Sequence, residues 1–306
     1  MSEIAVVGSI NMDIVNRVER HPQPGETVQG LGCAYFPGGK GANQAVAAAR
    51  MGASVSMVGA VGTDVHGEAL LHTLRDTGID TAHTAVVEGS SGIAYITVDQ
   101  AGENTIVLDR GANGKMLPDR AIPALERLEG LQLVLLQNEI PQETNEAVLK
   151  FCADRAIRVL YNPAPAAVIP DSLYPQLHML ILNASEAETL TGTAVSGEPE
   201  AMSACRQLLD KGAGQIVLTL GSQGVVYASR TEAFHIPALK VQAADTTAAG
   251  DCFIGALAAE YLQGRSIRDC LTFAAAAAAL KVTRRGAQQS IPWRQEVIEF
   301  TSSRSI

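Results

Sequence analysis

The sequence predicts an α/β domain built on a mostly parallel sheet with helices on both faces. Three observations predict it. Short runs rich in β-branched residues alternate along the chain with longer amphipathic stretches, the rhythm of repeated βα units. The first run, residues 4–10, has no polar face, as a strand buried on both sides requires. Hydrophobic residues make up 47% of the chain and charged residues 18%, enough for a large core. Aromatics are only 4%, so that core must be mostly Ala, Val, Ile and Leu.

Taken in order, strands are expected at residues 4–10, 55–61, 131–137, 158–162, 179–183 and 215–220. Helices are expected at 41–51, 67–76, 118–128, 142–154, 185–191, 200–211 and 252–262. Residues 27–36 and the pair 92–98 and 104–108 break the rhythm and read as exposed strands, the pair joined by a turn at Gly102-Glu103. Pattern alone fits a lid over a site, an edge for dimerisation or an ordinary edge hairpin. The alanine run at 274–279 reads as a tightly packed buried helix, because small side chains let neighbours approach. In open sheets of this kind ligands bind beyond the carboxyl ends of the strands.

The 306 residues suit one large domain with an elaboration rather than two equal halves. A net charge of −9 suggests no nucleic-acid or membrane-surface partner. It leaves room for an anionic ligand, since backbone N–H groups and helix N-termini bind phosphates without net charge. Five cysteines, an odd number with no CxxC pair, suggest neither a disulfide framework nor a zinc site. The opening MSEIAVVGSI has no basic signal region, and the apolar stretch at 274–280 is too short to span a bilayer. A soluble cytoplasmic protein is expected.

The strongest local signal is Asp245-Thr246-Thr247-Ala248-Ala249-Gly250-Asp251, followed by an apolar helical run. Small residues at a helix start leave N–H groups bare, and the helix dipole adds to their attraction for negative charge. A transferring phosphoryl group needs such a hole. Asp251, in the first turn, can take the proton from an attacking hydroxyl. The same spacing also fits an N-capping Asp after a glycine turn.

Four further signals are weaker alone. Gly38-Gly39-Lys40-Gly41-Ala42-Asn43-Gln44 opens a small-residue helix, with Lys40 and Asn43 offering donors; it lacks Walker A spacing. Asn11 and Asp13 lie two apart at the end of the first strand and so on one side of it, a natural pair for vicinal hydroxyls of a sugar or plain turn chemistry. Asn183 and Glu186 follow the strand at 179–183; they suit a magnesium-bound water or a simple helix start. Glu139 holds the same topological place after 131–137. Residues 219–224 (TLGSQG) form a strand-end turn, suited to passing a nucleotide or to any hairpin.

Together these segments resemble the ribokinase family of carbohydrate kinases over nearly the whole chain. The most specific parts are GGKGANQA at 38–45 and DTTAAGD at 245–251, with NPAPA at 162–166 and VTRRGAQQSIP at 282–292 in support. The resemblance implies a three-layer α/β/α domain over 1–306, with lid strands inserted at about 13–38 and 90–109 that pair with a second subunit as a homodimer. It implies transfer of the ATP γ-phosphate to a sugar hydroxymethyl group, D-ribose to D-ribose 5-phosphate first. Another pentose, deoxyribose or a nucleoside is the alternative, and a non-catalytic sugar-binding protein the more distant one.

Carried over, the resemblance implies that Asn11, Asp13, Gly39, Lys40, Asn43 and Glu139 hold the sugar. Asp251 is the base, and Ala248, Ala249, Gly250 and Asp251's own N–H form the anion hole. Asn183, Thr219, Gly221, Ser222, Gly224, Gly250 and Ala275 face the nucleotide, and Glu186 serves magnesium. Asp245, Thr247, Lys281, Arg284, Gly286 and Ser290 surround a potassium ion, the middle four mostly through backbone carbonyls, so that side-chain identity at Lys281 and Arg284 is immaterial. On that reading potassium in place of sodium raises turnover. Ala184, Cys252 and Ala275 depart from the family pattern on the nucleotide and metal side.

Overall fold

The computed structural model describes residues 3–304; Met1 and Ser2, part of the N-terminal reading above, lie outside the described residues. The chain begins β1 (Ile4–Val7), β2 (Asn11–Val18), β3 (Gly30–Gly38), α1 (Lys40–Arg50), β4 (Val55–Val58), β5 (Ala60–Gly62) and α2 (Val65–Asp76). It continues β6 (Ala85–Val87), β7 (Gly92–Val98), β8 (Asn104–Asp109), α3 (Pro118–Glu126), β9 (Leu133–Leu136), α4 (Gln142–Ala153), β10 (Arg158–Tyr161), β11 (Met179–Asn183) and α5 (Ala184–Thr191). It ends α6 (Glu198–Asp210), β12 (Gln215–Thr219), β13 (Val225–Ser229), β14 (Ala233–Ile236), α7 (Ala249–Leu262), α8 (Ile267–Val282) and α9 (Arg294–Ser302).

Eight strands form the main sheet in the order β14-β13-β12-β11-β10-β9-β1-β4, and only β13 runs against the others. Alternate residues of β1 point to opposite faces. Ile4 and Val6 join the core beneath α1, α7 and α8, while Ala5 and Val7 join the core beneath α3, α4 and α6. Both faces are therefore dry, which is the three-layer arrangement expected of apolar parallel strands.

The expected strands outlast the observed ones where their partners stop. Val7 is level with Val58 and Leu136, the last residues of β4 and β9, so the ladder closes there and residues 8–10 leave the sheet. The run at 55–61 splits at Gly59, because β5 pairs with β6 in a separate two-stranded ladder.

A second sheet, β3-β2-β7-β8, stands apart. Its first expected strand, 27–36, lies instead at Gly30–Gly38, because pairing with β2 sets both ends: Val18 faces Gly30 and Asn11 faces Gly38. Asn11 is also level with Gly92 of β7. Consequently Asn11 and Asp13 do not end the first strand; they open the first strand of the small sheet, where it meets the main one. Leu31, Tyr35, Tyr95, Ile106 and Val107 of this sheet are exposed.

Helix α7 is apolar on nearly every side and lies between α1 and α8. At Gly255 an added Cβ would come within 2.4 Å of the Ala47 methyl and 2.5 Å of the Gln44 carbonyl, so glycine sets how closely α7 approaches α1. The alanine run of α8 is only partly enclosed: Ala274, Ala276 and Ala277 are buried, whereas Ala275, Ala278 and Ala279 are half-buried. Among the described residues no helix is long and apolar enough to cross a membrane.

Candidate active site

The start of α7 is built by an unusual turn. Ala248 adopts a left-handed conformation, φ 57°, which costs a non-glycine residue about 1–2 kcal/mol. That turn brings the Ala249 N–H to the Thr246 carbonyl at 3.1 Å and the Cys252 N–H to the Ala248 carbonyl at 2.9 Å. Among the described residues the N–H groups of Gly250 and Asp251 have no acceptor. Of the N–H groups expected to form an anion hole, that of Ala249 is therefore spent inside the turn.

Asp251 is buried, and each oxygen is held by a carboxamide from α1. Asn43 Nδ2 donates to Oδ2 at 3.0 Å and Gln44 Nε2 to Oδ1 at 3.1 Å. Asn43, expected among the sugar-holding residues, gives its amide nitrogen to Asp251, and among the described residues its buried Oδ1 has no hydrogen-bond partner. Gln44 has no role of its own in the motif reading and Gln137 only ends an expected strand, yet Gln137 Nε2 donates to Gln44 Oε1 at 2.7 Å and orients it. Their role emerges only when α1 and β9 are brought together.

Glycine makes that junction possible. At Gly39, the N-cap of α1, φ is 90°, and a Cβ would meet the Asn11 nitrogen at 2.8 Å. At Gly41 it would meet the Ser9 nitrogen at 2.7 Å. The first turn of α1 therefore packs directly on the segment leading from β1 to β2. There the Lys40 N–H donates to Glu139 Oε2 at 3.1 Å, and Ser9 Oγ donates to the same oxygen. Ser9 is a further contributor to which the sequence reading gave no role. Asn11 is buried, and its Oδ1 accepts from Asn113 Nδ2 at 2.6 Å. Asn113 in turn accepts the Ile10 N–H, so it fixes which way the Asn11 amide points.

Asp13, Glu139, Asp251 and Lys40 share one electrostatic neighbourhood. Burial, then repulsion from Glu139 and Asp251, pushes the Asp13 carboxyl up to about 7, with Lys40 opposing. Burial pulls the Lys40 ammonium down, but Asp251, Glu139, Glu186 and Asp13 outweigh it and hold it above its ordinary value. At Gly38 an added Cβ would lie 2.2 Å from Asp13 Oδ2, so the glycine clears the carboxylate's place.

On the other side of Asp251 lies a cavity of about 190 Å³ lined by Lys40, Asn183, Glu186, Thr219, Gly250 and Asp251 among others. Asn183 and Glu186 form a complete capping box on α5: Glu186 accepts the Asn183 N–H at 2.9 Å and Asn183 Oδ1 accepts the Glu186 N–H at 2.9 Å. Burial pushes the Glu186 carboxyl above its ordinary range, despite the Asn183 N–H and Lys40. Asn162 Nδ2 also reaches Glu186 Oε2 at 3.4 Å, while Asn162 Oδ1 accepts from Gln44. A chain of carboxamides thereby connects the Asp251 and Glu186 carboxylates.

Residues 219–224 close a hairpin between β12 and β13, with the Leu220 N–H donating to the Gly224 carbonyl at 2.8 Å. Thr219 reaches the cavity; Gly221, Ser222 and Gly224 do not line it, and a Cβ at Gly224 would strike the Ile236 carbonyl at 2.1 Å. Ala275 packs on the core below α8 and likewise does not line the cavity. Burial pushes the Cys252 thiol up to about 12, which makes it an inert packing group.

The residues expected around potassium already bond to one another. The Lys281 carbonyl accepts the Arg284 N–H at 2.9 Å, and the Gly286 carbonyl accepts Ser290 Oγ at 2.6 Å. The Asp245 carboxylate accepts the Gly286 and Thr247 N–H groups at 2.8 and 2.9 Å. Although burial raises it, those bonds hold the Asp245 carboxyl below its ordinary value. Arg284 turns away to Glu296 at 2.7 Å. The Lys281 side chain, far from immaterial, is fully buried and its Nζ donates to the Asp245 carbonyl at 3.0 Å. The Lys281 and Gly286 carbonyls and the Asp245 carboxylate already have partners and a cation is already among them, so these residues do not fit an added monovalent ion.

The profile of the pfkB family of carbohydrate kinases matches residues 1–294. The chain is 40% identical over 298 residues to the ribokinase of Lactococcus lactis, covering 97% of this chain and 96% of that one. It is 37% identical over 302 residues to the deoxyribokinase of Salmonella typhi, covering 98% and 99%. The structure of Arabidopsis thaliana ribokinase complexed with ribose and ATP superposes with a TM-score of 0.91 at 32% identity, covering 98% of this chain and 99% of that one. A match of this extent, on a fold that brings the Asp245–Asp251 loop against the glycine-rich start of α1, leaves one assignment: this chain belongs to the pfkB family of carbohydrate kinases.

Proposed function

We propose that this kinase transfers the γ-phosphate of ATP to the hydroxymethyl oxygen of D-ribose. The observation that carries the reading is the position of Asp251. Its carboxylate is held by two carboxamides at a helix N-terminus, between the Asn11, Asp13 and Glu139 cluster and the cavity of Asn183, Glu186 and Thr219. A sugar on the first side and a nucleotide on the second meet at that group. Asn11 and Asp13 offer a donor and a carboxylate to adjacent hydroxyls, which favours a sugar bearing both.

In the reaction the hydroxymethyl oxygen attacks the γ-phosphorus as its proton passes to Asp251. The bond from that phosphorus to the β–γ bridging oxygen breaks, and ADP leaves with the bond's electrons. The bare Gly250 and Asp251 N–H groups and the Lys40 ammonium face the charge that develops on the phosphoryl oxygens. Magnesium suits the buried, oxygen-only Glu186 through bound water and would neutralise phosphate charge there. The monovalent ion has a competitor within the chain, the Lys281 ammonium.

The small sheet acts as a lid over the sugar side, since Asn11 and Asp13 belong to its strand β2. Its exposed apolar residues suit pairing with a second copy, because uncovered sheet edges and faces are normally protected. A dimer is expected by light scattering at micromolar concentration; a fully active monomer would rule the pairing out. Among the described residues all five cysteines are free thiols, in keeping with a reducing, cytoplasmic setting.

Steady-state phosphorylation across D-ribose, 2-deoxy-D-ribose, other pentoses, hexoses and nucleosides tests the reading. D-Ribose is expected to have the highest kcat/KM. The deoxyribokinase relative makes 2-deoxyribose the informative competitor, and a higher kcat/KM for it would replace ribose as the substrate.

A further inference from the structure

We propose that the buried Lys281 ammonium is a built-in monovalent cation that holds the anion-binding loop, so that turnover does not depend on an alkali-metal ion. Lys281 closes α8, and its side chain is wholly enclosed. A lysine is almost never fully buried without a partner that needs its charge. Here Nζ donates to the carbonyl of Asp245, the residue that opens the loop to the Gly250 and Asp251 N–H groups. Burial pulls its ammonium below the ordinary value, and the carboxylates of Asp245 and Asp251 oppose that pull.

Several of the surrounding donors and acceptors are closed on one another. The backbone between α8 and this loop is joined a second time, by the Ala244 and Asp245 N–H groups donating to the Val282 carbonyl at 2.7 and 3.1 Å. The Asp245 carboxylate gathers the Gly286 and Thr247 N–H groups. An ammonium and a potassium ion carry the same charge and are of similar size. An ammonium fixed by its own chain therefore does the ion's work of tying the two segments, and it repels a second cation. Its purpose is positional: the left-handed turn at Ala248 must stay formed for the Gly250 and Asp251 donors to be aimed before the transition state. Lys281 is a positioning residue, since no substrate atom need touch it.

This inference rests on the kinase reading, and salt substitution separates the two. Turnover of the full chain would be measured with the Tris salt of ATP in potassium, sodium and tetramethylammonium chloride at matched ionic strength. The wild type is expected to vary less than twofold. Activation of fivefold or more by potassium over tetramethylammonium would overturn the proposal.

Lys281→Ala removes the ammonium and opens space. It is expected to lose at least tenfold in turnover in tetramethylammonium chloride and to recover most of it in potassium. Its melting temperature should fall and rise again with potassium, while that of the wild type stays level. Lys281→Met, which refills the space without charge, should lose turnover and gain nothing from potassium. Unchanged turnover in Lys281→Ala, or a loss equal in all three salts, would each sink the idea. If the wild type phosphorylated no sugar in any salt, the kinase reading would fail, and the melting temperatures would still judge the lysine.

Discussion

Asp251→Asn is expected to lower turnover by roughly 10²–10⁴-fold, the usual contribution of a general base. Sugar affinity should change far less, because the substituted group keeps its size and position. The amide cannot accept a proton from the attacking oxygen. It also presents an NH₂ group to one of the two carboxamide donors, Asn43 Nδ2 or Gln44 Nε2, which now hold a carboxylate. One of those bonds is lost, and a stability loss of about 1–2 kcal/mol follows from a buried donor left unpaired. Single-turnover phosphorylation, ribose calorimetry and thermal unfolding together check this. Near-normal turnover in the variant would remove Asp251 as the base.

Asp13→Asn should move binding and stability in opposite directions. Hydrogen bonds from sugar hydroxyls to a charged group are worth ~1.5–3 kcal/mol, so ribose affinity should fall roughly 10- to 100-fold. ATP affinity should barely change. In the ligand-free protein, however, the Asp13 charge is unfavourable. Its carboxyl titrates at about 7 rather than at the ordinary 3.8, so the folded protein holds this proton more tightly than the unfolded chain does. That contribution to stability is complete below pH 3.8 and is lost as pH rises through about 7. At pH 8 the neutral Asn should therefore stabilise the ligand-free protein by about 1–4 kcal/mol, a gain that shrinks as the pH falls below 7. Thermal unfolding between pH 5 and pH 8, with calorimetry for each ligand, measures both effects. Equal losses of ribose and ATP affinity would sink the sugar assignment.

The opposition has a structural origin. Three carboxylates, Asp13, Glu139 and Asp251, are gathered around a single ammonium, Lys40. A folded protein gains nothing from that imbalance until a polyhydroxylated ligand brings donors to it. Binding sites commonly carry such strain at the expense of stability.

Much of this was legible in the residues. The βα rhythm and the apolar strands determined a parallel sheet with two buried faces, because a strand without a polar side must be covered twice. The order of motifs pointed to the GGKGANQ and DTTAAGD segments as the proposed site, and at the second of them small residues at a helix start do leave the Gly250 and Asp251 N–H groups bare. Tertiary structure decided what depends on distance between segments remote in the chain. Gln44 and Gln137 become the supports of Asp251 only because α1 packs between β9 and α7, and Asn113 orients Asn11 across 102 residues of chain. The hydrogen bonds that turn the Asn43 amide to Asp251 and the Lys281 ammonium to the Asp245 carbonyl have no local signature. Side-chain direction follows from packing partners, and a one-dimensional pattern does not contain them.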